Sequence, residues 1–248
     1  MKHDYFDKYC GLGSFIHLLD PRTKILTFLA AIGIIVSEPR GDILPFMFYY
    51  TLLITLLGIS RIPLSFVLKR CLIAFPFILM AAIGLPLSHL AGSTGSSTFT
   101  TQMAFSSLSI VLKAVGAVII LVLLTSTSKF QMLLKGMRSL RMPPVLGVMS
   151  ALMYRYLFIL NDERLRTNRA RESRTPGRLR LNRFKVLGHQ VALVFLRSWS
   201  RAHTVYYSML SRGFQGEFPG FSPLKFHWQD GLFFLVCISS LLTVRYFV

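Results

Sequence analysis

The sequence predicts an all-α integral membrane protein with about five transmembrane helices and long amphipathic helices on the cytoplasmic side. Three observations carry this reading. Of the 248 residues, 53% are hydrophobic and only 15% are charged, against roughly 25% charged in soluble domains. The mean hydropathy is +0.54. The net charge is nevertheless +18, so the few charges must be concentrated. Of 28 Lys and Arg, 18 fall within 129–227, where four acids (Asp162, Glu163, Glu172 and Glu217) oppose them.

A pI near 10.5 taken alone suggests a nucleic-acid partner. A soluble protein could not hide the apolar runs, and that class is excluded. A helix needs about 20 residues to cross roughly 30 Å of hydrocarbon. The candidate spans are residues 25–36, 43–59, 72–90 (with Pro76 and Pro86), 105–125 and 231–248. Proline is tolerated in such helices because neighbours satisfy the freed backbone groups. The scattered Cys10, Cys71 and Cys237 fit reduced, structural thiols rather than a disulfide framework or zinc site. The N-terminal 20 residues lack the apolar core of a secretory signal.

Loop charges set the orientation. Lys2, Lys8, Arg22 and Lys24 precede the first span, and Arg61, Lys69 and Arg70 follow the second. Loop 37–42 sets one Arg against Glu38 and Asp42, loop 91–103 carries no charge, and Lys129 and Lys135 follow the fourth span. By the positive-inside rule, the N-terminus is cytoplasmic and the two poor loops are outside. The expected organisation is a four-helix membrane part over 1–126, a cytoplasmic region over 127–229 and a C-terminal transmembrane helix over 230–248. That makes a multi-pass protein of the cell (inner) membrane. The C-terminus is then outside, with Arg245 snorkelling to the outer interface. The apolar stretch 144–160 has basic flanks on both sides and Arg155 within. It is expected to pack at the inner interface without crossing.

The basic region keeps helical periodicity. Phe130, Leu133, Leu134, Met137 and Leu140 form one stripe. Phe184, Leu187, Val191, Val194, Phe195, Ala202, Val205, Tyr206, Met209 and Leu210 form a longer one. Such helices bury their apolar face on a membrane or a partner, and the basic face attracts anionic membrane lipids.

Several chemistries are absent from the pattern. No Gly-rich phosphate loop with its Lys-Ser/Thr is present, so the chain is not expected to hydrolyse ATP. A proton-coupled carrier keeps acids or His inside the membrane, whereas all ten acids lie outside the five spans. Nor do the two halves form an inverted repeat. His3, His17, His89, His189, His203 and His227 make no close pair suited to a transition metal, so no metal site is expected in this chain. Met80, Met103 and Met149 read as packing residues, and Asp162-Glu163 as a solvated helix face. Lys113 stands well inside a span, at a cost of about 2.5–3.5 kcal/mol at the bilayer centre. Residues 108–124 contain twelve Leu, Ile or Val, each worth about −0.3 to −0.6 kcal/mol, so the helix can carry it. Lys113 is either an intramembrane functional charge or a snorkelling one.

Two sites in the basic region look specific. Ser173-Arg174-Thr175-Pro176-Gly177 and Ser211-Arg212-Gly213-Phe214 each end a helical pattern with a small residue, an arginine and a helix stop. Each arginine sits in a last turn, where the helix dipole favours a cation. An ordinary C-terminal cap explains that much. The more specific reading has two helix ends presenting arginines side by side to acidic grooves, each guanidinium gripping a carboxylate through two donors.

These residues resemble the transmembrane T component of energy-coupling factor transporters, in the cobalt/nickel branch. In that family two Ala-Arg-Gly-like motifs end the cytoplasmic coupling helices. Met209-Leu210-Ser211-Arg212-Gly213-Phe214 matches the second, with Ser for Ala. Ser173-Arg174-Thr175 is the preferred match to the first, with Thr for Gly, and Ala170-Arg171-Glu172 is a competing one. The resemblance also takes in Leu19-Asp20-Pro21-Arg22-Thr23-Lys24, Met142-Pro143-Pro144 and Tyr154-Arg155-Tyr156. It implies a non-catalytic coupling subunit of an ATP-driven importer for cobalt or nickel. The implied partners are two ATP-binding cassette subunits, which bind the ATP, and a small membrane substrate-binding subunit. Arg174 and Arg212, with Ser173, Ser211, Gly213 and Arg171, are then the ATPase contacts. A vitamin-type T subunit and a lipid-binding membrane scaffold are the alternatives.

Overall fold

The computed structural model describes residues 13–39, 44–90, 98–174, 183–216 and 227–247. Cys10, His3, Lys2 and Lys8, Asp42, residues 91–97 of the uncharged loop, the Thr175-Pro176-Gly177 stop and Glu217 lie outside them. The described residues contain helices and no strand. They divide into two compact units, parted between Leu140 and Arg141, with the C-terminal helix returning to the first.

The first unit holds α1 (Phe15–Leu18), α2 (Pro21–Val36), α3 (Leu44–Ser60), α4 (Leu64–Leu90), α5 (Thr98–Thr127), α6 (Phe130–Ser139) and α9 (Trp228–Phe247). The described residues of the apolar runs at 25–36, 43–59, 72–90, 105–125 and 231–248 all fall on helices, and the structure lengthens several; residues 43 and 248 lie outside the described ones. Helix α2 starts four residues before its apolar run, because the Asp20 side chain accepts from the Arg22 N–H as N-cap and Pro21 occupies the first turn. Helix α4 starts directly after Pro63, following a turn in which Arg61 takes φ 54°. Lys69 and Arg70 therefore lie on a helix, not in a loop. Helix α5 likewise takes in residues 98–103.

Phe28, Ala31 and Ile35 of α2, Phe46, Tyr49, Leu53 and Leu57 of α3, Ile120 and Leu123 of α5 and Leu241 of α9 form the core. A smaller cluster joins Ile16 and Leu19 to Phe233 and Cys237. Helix α4 packs chiefly on α5 and leaves Leu72, Ile73, Phe77 and Met80 exposed, as a lipid-facing helix does. Helix α6 is short and docks on α2, burying Leu134 and Gly136.

The second unit is α7 (Pro144–Arg174) packed on α8 (Arg183–Ser211). The apolar stretch 144–160 opens a helix that continues without a break to Arg174, the end at which a helical pattern was expected to stop. No proline or glycine stands between Gly147 and Arg174 to interrupt it. Leu64–Gly84, Ser107–Thr127 and Pro144–Arg174 are all long and apolar enough to cross a membrane.

Candidate functional site

Two side-chain links fix how α7 and α8 pair. Arg197 Nη1 pairs with Glu163 Oε1, and Arg171 Nη1 donates to Gln190 Oε1 at 3.4 Å. As the residue number rises on α7 it falls on α8, so the helices are antiparallel. Their C-terminal ends therefore lie at opposite ends of the hairpin. Arg212 stands 22 residues beyond Gln190, roughly 33 Å at about 1.5 Å per residue. The expectation that Arg174 and Arg212 stand side by side fails, because each motif ends its own helix and the helices run in opposite directions.

The two ends are built differently. Arg174 is the last helical residue of α7 and is exposed, as is Ser173, whose Oγ donates to Ala170 O at 3.0 Å. Arg171 is half-buried and turned sideways, to Gln190 and to Glu172 at 3.7 Å. Of the two competing arginines, Arg174 is the one presented outward. At the other end, Gly213 takes φ +77°. Gly213 N–H donates to Leu210 O at 2.9 Å and Phe214 N–H to Met209 O at 3.0 Å, the paired bonds of a Schellman cap. A Cβ on Gly213 would meet nothing within 4 Å, so the backbone angle, not space, calls for glycine. The cap holds Arg212 exposed at the turn, beside exposed Ser211, whose Oγ donates to Ser208 O at 3.0 Å.

Between the helices runs an apolar groove of about 610 Å³, lined among others by Met149, Leu152, Met153, Val205, Met209 and Phe214. Phe214 thus belongs both to the cap and to the groove. A feature not read from the sequence lies on α8. Phe195, Trp199, His203 and Tyr207 follow one another at four-residue spacing, with ring centroids 6.3, 5.1 and 6.2 Å apart, all exposed. Phe195 belongs to the apolar stripe read from the sequence, and the four-residue spacing was the available signal for the other three.

In the first unit, Lys113 is placed against the end of α2. Its Nζ donates to Val36 O at 3.1 Å and Glu38 O at 2.6 Å. A buried polar junction, also unread from sequence, surrounds the start of α2. Lys24 is only 2% exposed, and its Nζ donates to His17 O at 3.1 Å, Thr127 O at 3.4 Å and Ser128 Oγ at 3.2 Å. Asp20 N–H donates to Asp230 Oδ1, and His227 N–H to Asp230 Oδ2, both at 2.8 Å. In the sequence Lys24 stands as an orientation charge and the last residue of the Leu19–Lys24 resemblance, and Asp230 only as an acid outside a span. The N-cap of α2 was the one local hint. Among the described residues no three or more His, Cys, Asp or Glu gather as a metal site.

The cobalt transport protein family CbiQ matches residues 13–221, which take in α1 through α8. An uncharacterized protein of Methanocaldococcus jannaschii is 24% identical over 254 residues, covering 97% of this chain and 86% of that protein. A second uncharacterized protein of that organism is 32% identical over 105 residues, 42% of this chain and 39% of that protein. Nickel permease LarQ of Lactiplantibacillus plantarum is 31% identical over 106 residues, 43% of this chain and 38% of that permease. With most of its length matched, this multi-pass membrane protein belongs to the CbiQ family of cobalt transport proteins, the non-catalytic transmembrane T components of energy-coupling factor transporters.

Proposed function

We propose that the chain couples two ATP-binding cassette subunits to a separate membrane subunit that binds the substrate, for uptake of cobalt or nickel. ATP is held by the partner ATPases. The observation that carries this reading is the hairpin with one outward arginine at each end. Ends roughly 33 Å apart, at about 1.5 Å per residue, suit two separate ATPases, each receiving one arginine. Arg174 and Arg212 are the principal contacts; Ser173 and Ser211 keep the neighbouring surface small, and Gly213 sets the angle of the Arg212 turn. Arg171 supports the first end through Gln190. The family description and the name of the nickel permease both favour a transition-metal substrate.

This reading also decides the orientation. The N-terminus and the hairpin are cytoplasmic. Roughly 33 Å is close to the ~30 Å thickness of the hydrocarbon core. A hairpin that crossed the bilayer would put one of the two arginine ends on the wrong side for an ATPase. Helix α7 therefore lies on the cytoplasmic side despite its apolar length, with Arg155 and the later arginines in water or at headgroups. Cysteines placed at positions 174 and 212 should both be labelled from the cytoplasmic side only.

The direct test is the Arg174→Glu, Arg212→Glu double variant in cells carrying the complete transporter. ATP-driven cobalt or nickel uptake should be abolished, and the ATPases should no longer co-purify with the chain. Each single variant should lose part of the ATPase association. Normal uptake by the double variant would show that these arginines do not couple the subunits. Uptake of a vitamin in place of either metal would move the chain to the vitamin-type T subunits.

A further inference from the structure

Helices α2 and α5 each lend a lysine to the other's C-terminal end. Lys24, in the first turns of α2, reaches Thr127 O, the last residue of α5, and Ser128 Oγ just beyond it. Lys113, midway along α5, reaches Val36 O, the last residue of α2, and Glu38 O just beyond it. The last carbonyls of a helix lack intrahelical partners, and the negative end of the dipole there favours a cation. Each ammonium supplies both. Glu38 is also held through its side chain, which accepts from Tyr49 Oη at 3.2 Å. Between the two lysine contacts the helices stay in close register, since a Cβ on Gly116 would lie 3.8 Å from Ile35 Cγ2.

The Lys24 end of this pair also carries α6. Ser128 immediately precedes Lys129, the N-cap of α6. Helix α6 then lies so near α2 that a Cβ on Gly136 would stand 3.1 Å from Ile25 Cδ1 and 3.2 Å from the Pro21 backbone carbon. Lys24 thus fixes the corner from which α6 departs, and Gly136 allows its close seat.

We propose that Lys24 and Lys113 form a reciprocal clasp that makes α2 and α5 one rigid frame, and that both are positioning residues for coupling. The proposal rests on the coupling function above. It gives Lys113 a different role from a charge facing a substrate or simply reaching for the outer interface. A rigid frame is needed because force delivered at one place on a loose helix pair is lost in sliding the pair. The clasp acts at both ends of α2, so neither end can slide alone along α5.

The test uses the complete transporter, with its ATPase and substrate subunits, in proteoliposomes. The variants are Lys24→Met, Lys113→Met, the double, and the milder Lys24→Gln and Lys113→Gln. Co-purified ATPase, ATP hydrolysis and metal uptake are measured together. The ATPases should remain bound and hydrolysis should persist, while uptake per ATP falls about tenfold in each Met variant. The double should lose no more than the worse single, because both break one device. A merely structural role would instead lower the amount of complex and leave uptake per assembled complex unchanged; that result overturns the proposal. So does a Lys113→Met variant with a raised KM for the metal and an unchanged maximal rate. Failure of both the Met and the Gln variants to reach the membrane would make these lysines folding requirements and would likewise overturn it. A wild-type chain that brings down no ATPase refutes the coupling function itself. A coupled wild type matched by equally coupled variants refutes only the clasp.

Discussion

In the membrane unit, polar groups tie distant parts of the chain together out of contact with water. Lys24 bonds residues more than a hundred positions away, and Asp20 N–H meets Asp230 across 210. Tyr50 Oη donates to Leu112 O at 2.9 Å. In the α7–α8 hairpin, the polar links are only partly buried. Arg197 is 56% exposed where it pairs with Glu163, and the interior of the hairpin is an open apolar groove. The difference is one of consequence. A buried polar group that loses its partner costs its full desolvation, so the membrane unit resists rearrangement. Exposed ion pairs are worth little, and apolar surfaces rich in Met repack readily. A frame and an adaptable surface are what the proposed coupling role requires.

The largest effect is expected at Lys24. Replacing it by Met strips a charged donor from three acceptors, and hydrogen bonds to charged groups are worth about 1.5–3 kcal/mol. Lys24→Met should lower the unfolding free energy of the purified chain by about 3 kcal/mol, once relaxation of the freed groups is allowed for. The measurement is equilibrium unfolding in mixed detergent. No loss would mean that the buried bonds of the membrane unit are no stronger than the surface bonds of the hairpin. Asp230→Ala comes next, since one carboxylate serves two backbone donors. Losing a cap and a cross-link together should cost about 2 kcal/mol by the same measurement.

Much of this contrast was legible in the sequence on one side only. Apolar runs at 25–36, 43–59, 72–90, 105–125 and 231–248 mark helices because lipid demands length and hydrophobicity from each segment by itself. The same independence explains why the Arg212 end could be read, since Gly213 announces its cap within a few residues. The Lys24 junction could not be read, because nothing near residue 24 points to residues 127, 128 or 230. The antiparallel pairing of α7 with α8 was hidden for the same reason: it depends on contacts such as Arg171 with Gln190. The end of α7 at Arg174 was legible from Ser173-Arg174 before the Pro176-Gly177 stop, because that signal too is local.

On the hairpin the effects should be smaller and more local. Gly213→Ala places a Cβ on a residue at φ +77°, a conformation that costs an L residue about 1–2 kcal/mol. The cap should loosen without disturbing α7, because no neighbour lies within 4 Å of the added carbon. Amide exchange should quicken over the last turn of α8 alone. On the proposed coupling role, ATPase association should weaken in the same direction as expected for Arg212→Glu, since the cap sets where Arg212 points. A Gly213→Ala chain with a loosened cap and unchanged ATPase binding would separate the cap from the contact.

Arg197→Ala should do least. The pair with Glu163 crosses from α8 to α7, so it looks like a fastening of the hairpin. Glu163 is 15% exposed, but Arg197 is 56% exposed, and a pair with one well-solvated partner contributes about 0–1 kcal/mol, because water competes for the guanidinium and two long side chains must be held still. The expected change is about 0.5 kcal/mol and should shrink further as salt is raised. A double-mutant cycle of Arg197→Ala with Glu163→Ala isolates the pair from the packing of the arginine stem. A coupling energy near that of a buried link, about 3 kcal/mol, would mean that the hairpin is held as stiffly as the membrane unit. The two regions would then differ in exposure but not in mechanics, and the adaptable surface would have to be sought in the groove alone.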